Sequence, residues 1–138
     1  MSNRTFTIIK PDSVRKGNFG KILSRVEAEG FRVLGIRKVS LSQRQAEAFY
    51  GVHRERPFFG DLVKYMTSGP VYVAALERSG AVTHLRGIMG ATDPTKAEAG
   101  TLRKDFGESI EQNAIHGSDS DDNAKNEIAF FFAESDLV

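Results

Sequence analysis

The sequence contains no cysteine and no tryptophan, only four prolines among 138 residues, and almost no excess of charge of either sign. Without cysteine the chain forms no disulfide, holds no iron–sulfur cluster and has no thiol nucleophile. Nineteen Lys and Arg residues against eighteen Asp and Glu residues leave a net charge of +1. This balance argues against a general nucleic-acid-binding surface and against a disordered acidic chain. Any anion-binding site must therefore be local.

Long hydrophobic runs are also missing. The longest apolar runs, residues 71–76 and 128–133, are too short to span a membrane. Residues 1–11 lack the apolar stretch of a secretion signal. We therefore expect a cytoplasmic protein with no membrane partner. Its length predicts one domain, residues 1–138, which can bury a core without a disulfide or a structural metal.

Strand and helix patterns alternate along most of the chain. Runs rich in β-branched residues predict strands at 5–10, 32–40 and 71–77. Apolar residues at helical spacing predict helices at 19–26, 42–50, 58–67 and 81–89. Ser42 and Gln45 have the spacing of a capping box, which places a helix start at that point.

Regular patterning weakens over residues 90–112, where we predict at most a short helix at 101–106. A loop of this length usually has a function. A brief strand at 113–116 and a final helix from Ser120 complete the chain. The element order predicts an α+β fold, in which helices cover one face of a small, mostly antiparallel sheet.

Two nucleotide- and metal-binding motifs are only partly matched. Residues 17–21 (GNFGK) suggest a phosphate-binding P-loop, but Arg15 and Ile22 stand where that motif needs a glycine and a hydroxyl residue. Residues 119–130 begin like a calcium loop but lack its sixth-position glycine and its final glutamate. His53, His84 and His116 do not have metal-ligand spacing, so no site for a transition metal is predicted.

His116 lies in a segment with chemical potential, residues 113–120 (NAIHGSDS), just before the last predicted helix. Gly117 allows a ligand to approach the backbone, and the Ser118 hydroxyl and a helix N-terminus offer donors to an anion. Imidazole titrates near pH ~6.5, so a neutral histidine can act as nucleophile or proton shuttle. A lone histidine is more often structural, and the segment's chemistry by itself leaves both interpretations open.

Three basic residues stand beside element boundaries: Lys10, Arg86 and Arg103. Each by itself is most simply a solvated charge. If the fold brings them together, the two guanidinium groups and the ammonium group would bind a polyphosphate.

Residues 113–120 resemble the active-site signature of nucleoside diphosphate kinases. Further segments resemble that family along nearly the whole chain, at residues 7–12, 55–59, 67–70, 87–92 and 100–106. The resemblance implies transfer of the terminal phosphoryl group of a nucleoside triphosphate, usually ATP, to a nucleoside diphosphate. It implies two ping-pong half-reactions through a phosphohistidine on His116, formed at its δ nitrogen.

The same resemblance implies roles for other residues. Lys10 would contact the phosphates and the sugar 3′-hydroxyl, and Tyr50 would order the γ-phosphate. The remaining phosphate contacts would come from Arg86, Thr92 and Arg103. Asn113 would bind the sugar hydroxyl, and Ser118 and Glu127 would steady the imidazole. The base would stack on Phe58, opposite Leu62 and Ile110.

The family's fold is a ferredoxin-like α+β sandwich with a four-stranded antiparallel sheet covered by helices. Its substrates imply ribo- and deoxyribonucleotides as partners. Mg²⁺ would enter with the nucleotide and need no protein side-chain ligand, because it keeps its waters and binds phosphate. The loop at 92–112 would close part of the site and pack at subunit contacts. Family members are homo-oligomers, and the short tail ending at Val138 favours a tetramer over a hexamer.

Two other interpretations compete with an active kinase. An RNA-binding module can share this fold, but a net charge of +1 and the absence of an aromatic-rich basic strand leave little for RNA. We therefore expect no specific nucleic-acid partner. An inactive family member could serve as an oligomeric nucleotide-binding or regulatory protein. Such a member would be expected to lack one or more of the implied catalytic residues.

Overall fold

The computed structural model describes residues 3–138, which contain four β-strands and seven α-helices. The strands are β1 (Arg4–Ile9), β2 (Arg32–Val39), β3 (Val71–Glu77) and β4 (Ile115–Gly117). The helices are α1 (Pro11–Arg15), α2 (Phe19–Ala28), α3 (Gln43–Phe49), α4 (Phe59–Met66), α5 (Ala81–Met89), α6 (Leu102–Phe106) and α7 (Asp121–Phe131).

All four strands form one antiparallel sheet in the order β2-β3-β1-β4. The central strand β1 pairs with β3 on one side and with β4 on the other, and its register places Ile8 opposite His116. The chain leaves β1 at Lys10, whose backbone N–H donates to the carbonyl of Ala114 at 2.9 Å. The predicted α+β class and the four-stranded antiparallel sheet are confirmed.

Helices cover both faces of the sheet, so the prediction that they cover one face is wrong. In β3, Val71, Val73 and Ala75 pack into one apolar core, whereas Ala74 and Leu76 pack into a second core on the opposite face. Helices α3, α4 and α7 contribute to the first core, and α2 and α5 contribute to the second. Strand β3 is accordingly buried on both faces along most of its length, whereas a half-exposed strand alternates apolar and polar residues.

Most predicted element boundaries agree with the structure to within two residues. The capping box is present: the Gln45 N–H donates to Ser42 Oγ at 3.1 Å, and the Ser42 N–H donates to Gln45 Oε1 at 2.9 Å. Helix α1 was not predicted from the sequence; it begins at Pro11, and proline suits the first position of a helix as well as a turn. Strand β4 begins at Ile115, since Ala114 has a φ of 76° and cannot continue an extended strand.

The long segment at 90–112 is ordered by contacts with the helices beside it. Arg25 donates to Asp105 at 2.6 Å, and Lys16 pairs with Glu108. Leu102 on α6 is fully buried. This segment is therefore held against the body of the protein and carries Arg103 inward. No helix in the described part of the chain is both long and apolar enough to cross a membrane.

Candidate active site

A cavity of about 960 Å³ opens on the face of the sheet that α3, α4 and α7 cover. Eleven of the twelve predicted site residues line it: Lys10, Tyr50, Phe58, Leu62, Arg86, Thr92, Arg103, Ile110, Asn113, His116 and Glu127. The twelfth, Ser118, is fully buried behind the cavity wall. Residues separated by up to 117 positions in the sequence thus meet at one site.

His116 lies in the middle of β4, with its imidazole held between aromatic rings and a carboxylate. The rings of Phe6, Phe49 and Tyr50 approach it edge-on, with centroid distances of 6.2, 5.8 and 6.4 Å. Its backbone carbonyl accepts a hydrogen bond from Thr7 Oγ1 at 2.7 Å. These contacts leave the ring few orientations, because both its backbone and its faces are confined.

Glu127 determines which nitrogen of His116 is available for chemistry. Its Oε1 lies 2.9 Å from His116 Nε2 and accepts a second hydrogen bond from Ser118 Oγ at 2.6 Å. A carboxylate is acceptor-only, so Nε2 carries the proton and Nδ1 of the neutral ring keeps its lone pair. Within residues 3–138, Nδ1 has no hydrogen-bond partner. The arrangement therefore leaves Nδ1 as the ring nitrogen with an available lone pair.

Lys10 is a buried cation beside the histidine strand. Its Nζ donates to Asn113 Oδ1 at 2.8 Å, and Asn113 Nδ2 in turn donates to the Thr92 carbonyl at 3.1 Å. Burial, and secondarily the charge of Arg103, lower the pKa of Lys10 to about 8. The ammonium group is thus cationic at neutral pH but poorly solvated, and a bound anion would stabilise its charge.

Arg86 and Arg103 are oriented by backbone carbonyls. Arg103 donates to Gly90 O at 3.2 Å and to Ile115 O at 3.0 Å, and Arg86 donates to Gly117 O at 3.2 Å. Burial, and then the charge of Arg86, lower the pKa of Arg103 to about 10, so it remains charged at neutral pH. No carboxylate within the described chain forms a salt bridge with either guanidinium group. Their positive charge is therefore available to an anion in the cavity.

Two buried polar atoms of the cavity residues have no hydrogen-bond partner within residues 3–138: Tyr50 Oη and Arg103 Nε. Burial, reinforced by Glu127, raises the pKa of Tyr50 far above neutrality, so its hydroxyl stays protonated and can donate. Buried donors without a partner are costly in a folded protein. Both atoms fit a site that is completed by a ligand rich in acceptor oxygens.

The outer end of the cavity is apolar and exposed. Phe58 stands at the N-cap of α4 and is 48% exposed, and Ile110 is 61% exposed. Leu62 is on the next turn of α4, and the His53 ring lies 5.5 Å from that of Phe58. These side chains offer flat apolar surface to a ligand, as a stacking platform does.

Sequence reasoning missed several residues of the cavity wall, among them Asp61, Glu111, Asp119 and Asn123. Asp119 accepts a hydrogen bond from Asn123 Nδ2 at 2.6 Å, and this bond lowers the pKa of its carboxyl group. Asp119 and Asn123 are four residues apart across the start of α7, a spacing that could have paired them. No group of three or more metal-ligating side chains is close enough to hold a metal ion among residues 3–138.

Sequence comparisons identify relatives over nearly the full length. The family model "Nucleoside diphosphate kinase" matches residues 3–137. A nucleoside diphosphate kinase of Sulfurimonas denitrificans is 59% identical over 134 residues, 97% of this chain and 98% of that protein. One of Granulibacter bethesdensis is 59% identical over 135 residues, 98% of this chain and 96% of that protein.

Solved structures agree with the sequence comparison. The nucleoside diphosphate kinase of Aquifex aeolicus superposes with a TM-score of 0.97 at 42% identity, over 100% of both chains. That of Halobacterium salinarum, solved in complex with CDP, has a TM-score of 0.94 at 39% identity, over 100% of this chain and 92% of the other. The matches on sequence, structure and length together show that this chain belongs to the nucleoside diphosphate kinase family and catalyses that family's reaction.

Proposed function

We propose that the chain transfers the γ-phosphoryl group of a nucleoside triphosphate, usually ATP, to a nucleoside diphosphate through a phosphohistidine on His116 Nδ1. The observation that carries this proposal is the hydrogen bond between Glu127 and Nε2, which leaves Nδ1 without a hydrogen-bond partner among residues 3–138. In the first half-reaction, the Nδ1–phosphorus bond forms as the bond between the γ-phosphorus and the bridging oxygen breaks. The diphosphate leaves with the bonding electrons, and a second diphosphate reverses the step.

Glu127 and Ser118 act through the imidazole. Phosphorylation at Nδ1 places positive charge on the ring, and the carboxylate on Nε2 stabilises that charge while holding the ring in its reactive tautomer. The Ser118 hydroxyl fixes the carboxylate at 2.6 Å. This pair therefore both selects the nucleophilic nitrogen and stabilises the intermediate.

The cations of the site stabilise the phosphoryl group as it moves. Lys10, Arg86 and Arg103 line one cavity with His116. Thr92 lines the same cavity, and its backbone carbonyl accepts a hydrogen bond from Asn113 Nδ2. Phosphoryl transfer requires little covalent chemistry from the protein apart from the nucleophile, so positioned charge is the main contribution. Lys10 and Asn113 would also bind the sugar hydroxyl, and the Tyr50 hydroxyl would donate to the γ-phosphate.

The base would stack on Phe58 against Leu62 and Ile110. Stacking is worth ~1–3 kcal/mol per base and tolerates any base, because every base has a π-face. Ribo- and deoxyribonucleotides of all common bases are therefore the expected substrates. A shared site for donor and acceptor explains why the two nucleotides need never be bound together.

Kinases of this family use a divalent metal, and we propose that here it is Mg²⁺. The cavity supplies cations rather than a carboxylate cluster, which fits an ion that arrives on the phosphates and keeps its waters. Mg²⁺ would neutralise phosphate charge when bound. The protein's own residues then need only orient the chain of phosphates toward Nδ1.

We also propose that the enzyme is a cytoplasmic homo-oligomer, with a tetramer favoured over a hexamer, and that residues 1–138 are one domain. The resemblance to the family supports the oligomer. Strand β2 lies at the edge of the sheet and exposes Ile36, and such an edge can accept a second copy. The absence of cysteine agrees with a reducing compartment but does not require one.

The experiment that tests the proposal is intact mass spectrometry of the protein after mixing with Mg·ATP, and again after adding GDP. We expect one added phosphoryl group that is acid-labile, maps to His116 and is discharged to give GTP. The matched variant His116→Asn should bind nucleotide but neither gain the adduct nor form GTP. Full activity in that variant would contradict the mechanism. Folded wild-type protein that forms neither adduct nor GTP would instead support an inactive nucleotide-binding member.

A further inference from the structure

A buried carboxylate outside the cavity holds the backbone that carries the site. Asp12 on α1 is 1% exposed and is not among the described residues that line the cavity. Its Oδ1 accepts a hydrogen bond from the Tyr65 hydroxyl, and its Oδ2 accepts one from the backbone N–H of Ala114 at 3.1 Å. The Asp12 backbone N–H donates back to Tyr65 Oη at 3.1 Å. The phosphotransfer mechanism above assigns no role to either side chain.

Ala114 is the strained residue of the fold. Among residues 3–138 it is the one non-glycine residue with a positive φ, 76°. The Ile115 N–H donates to the Asn113 carbonyl at 2.9 Å, which closes a three-residue turn around Ala114. A turn of this kind with a positive central φ is rare and strained for residues that carry a Cβ. Surrounding contacts must therefore hold Ala114 in this conformation.

Two hydrogen bonds hold the backbone of Ala114, one through its N–H and one through its carbonyl. Its N–H donates to the Asp12 carboxylate, and its carbonyl accepts from the Lys10 N–H at 2.9 Å. The turn directs Asn113 toward Lys10 Nζ on one side of Ala114 and leads into the strand of His116 on the other. A relaxed Ala114 would change the backbone direction between two residues of the site.

We propose that Asp12 is a positioning residue for phosphotransfer: its carboxylate holds Ala114 in its positive-φ turn and thereby positions Asn113 and His116. Tyr65 on α4 fixes the carboxylate from the opposite side. Since α4 also carries Leu62, the same contact ties the base end of the cavity to the phosphate end. The inference rests on the proposed role of His116 as phosphoryl acceptor.

The test measures the rate of His116 phosphorylation by Mg·ATP, per mole of folded protein, in Asp12→Ala and in Asp12→Ala/Ala114→Gly. Without the carboxylate, Ala114 relaxes and the active conformer becomes the minor state. Strain of this kind corresponds to a rate loss of between about 5-fold and 150-fold. Glycine accepts a positive φ without a steric penalty, so the double variant should recover most of the lost rate. Asp122→Ala, an exposed position on α7, is the matched control with unchanged rate.

The glycine rescue separates positioning from other roles of Asp12. Asp12 also raises the pKa of Lys10, against the larger lowering by burial, and a loss that came through that charge would persist in the double variant. A merely structural role would lower the melting temperature but leave kcat of the folded fraction unchanged. Either result would overturn the proposal.

A second pair of variants keeps the test decisive if Asp12→Ala does not fold. Tyr65→Phe removes the hydroxyl that fixes the carboxylate, and it should slow phosphorylation less than Asp12→Ala does. Ala114→Gly should again restore the rate, and failure to do so would contradict the inference. If wild-type His116 gains no phosphoryl group, the proposed function fails first. If it does and glycine rescues neither variant, only the positioning role fails.

Discussion

The two ends of the cavity are built in different ways. At the end where we propose that the phosphates bind, the phosphate end, Lys10, Arg103 and Asn113 are buried and held by hydrogen bonds of 2.8–3.2 Å to other parts of the chain. At the end where we propose that the base stacks, the base end, Phe58 and Ile110 are about half exposed and are placed by loop and helix-cap positions rather than by the sheet. One end is fixed by the core of the fold, and the other is an apolar surface open to solvent.

This difference fits the role that we propose for each end. Transfer of a phosphoryl group depends on the alignment of a nucleophile and several charges, and small displacements are costly. Acceptance of any base requires the opposite, a surface without directional hydrogen bonds. The buried Lys10 at the phosphate end also lowers the free energy of unfolding, because below about pH 8 the folded chain must bury the ammonium group that the unfolded chain hydrates.

The largest loss of activity should come from a substitution at the phosphate end of the cavity. Lys10→Met keeps most of the length of the side chain but removes the charge, and we expect kcat to fall on the order of 10²–10³-fold, as when one donor to a developing charge is lost. Steady-state kinetics with ATP and GDP would measure it. Lys125→Met, an exposed position on α7, is the matched control. Equal activity in the two variants would show that the buried charge has no catalytic role.

A smaller effect is expected from the carboxylate behind the histidine. Glu127→Gln keeps the shape but loses the charge that stabilises the phosphorylated ring, so phosphorylation should slow about 10–100-fold. Rapid-quench mass spectrometry of the His116 adduct would measure the rate. Because Glu127 contacts the His116 ring and, in the proposed mechanism, acts through it, KM should change little. A rise in KM with an unchanged kcat would contradict this role.

A substitution at the base end of the cavity should affect KM rather than kcat. Phe58→Ala removes a half-exposed stacking surface, so we expect KM to rise about tenfold, at the lower end of stacking energies, with kcat nearly constant. The rise should be similar for ATP, GTP, CTP and UTP. Phe59→Ala is the neighbouring control, since Phe59 packs against the core and its loss should lower the melting temperature instead. A strong base-dependent effect of Phe58→Ala would show that this end discriminates between bases.

The pH dependence of kcat/KM should show a modest effect that comes from Lys10, at the phosphate end of the cavity. The pKa of Lys10 is lowered to about 8, so the group is cationic below this pH and loses its charge as the pH rises through it. We therefore expect kcat/KM, which reports on the free enzyme, to fall above about pH 8. The residual activity of Lys10→Met should lack this limb. An identical limb in both proteins would assign it to another group.

Local sequence patterns were enough to predict most of the helices and strands and the chemistry of residues 113–120. The strand and helix patterns, the Ser42 capping box and the family motifs depend on neighbours within a few residues, which a sequence displays directly. They predicted the antiparallel sheet and, through the resemblance, eleven residues that now line one cavity. Helix α1, which begins at Pro11, was not predicted, because proline is common both in turns and at the first position of a helix.

The sequence by itself determined the residue types, the order of elements and the family, since these are written in local spacing and in motifs. Only the tertiary structure decided that helices cover both faces of the sheet, that Glu127 contacts Nε2 of His116, and that Asp12 reaches Ala114 across 102 positions. Such contacts arise from packing between distant segments. No local pattern specifies them, because the partners become neighbours only after the sheet has formed.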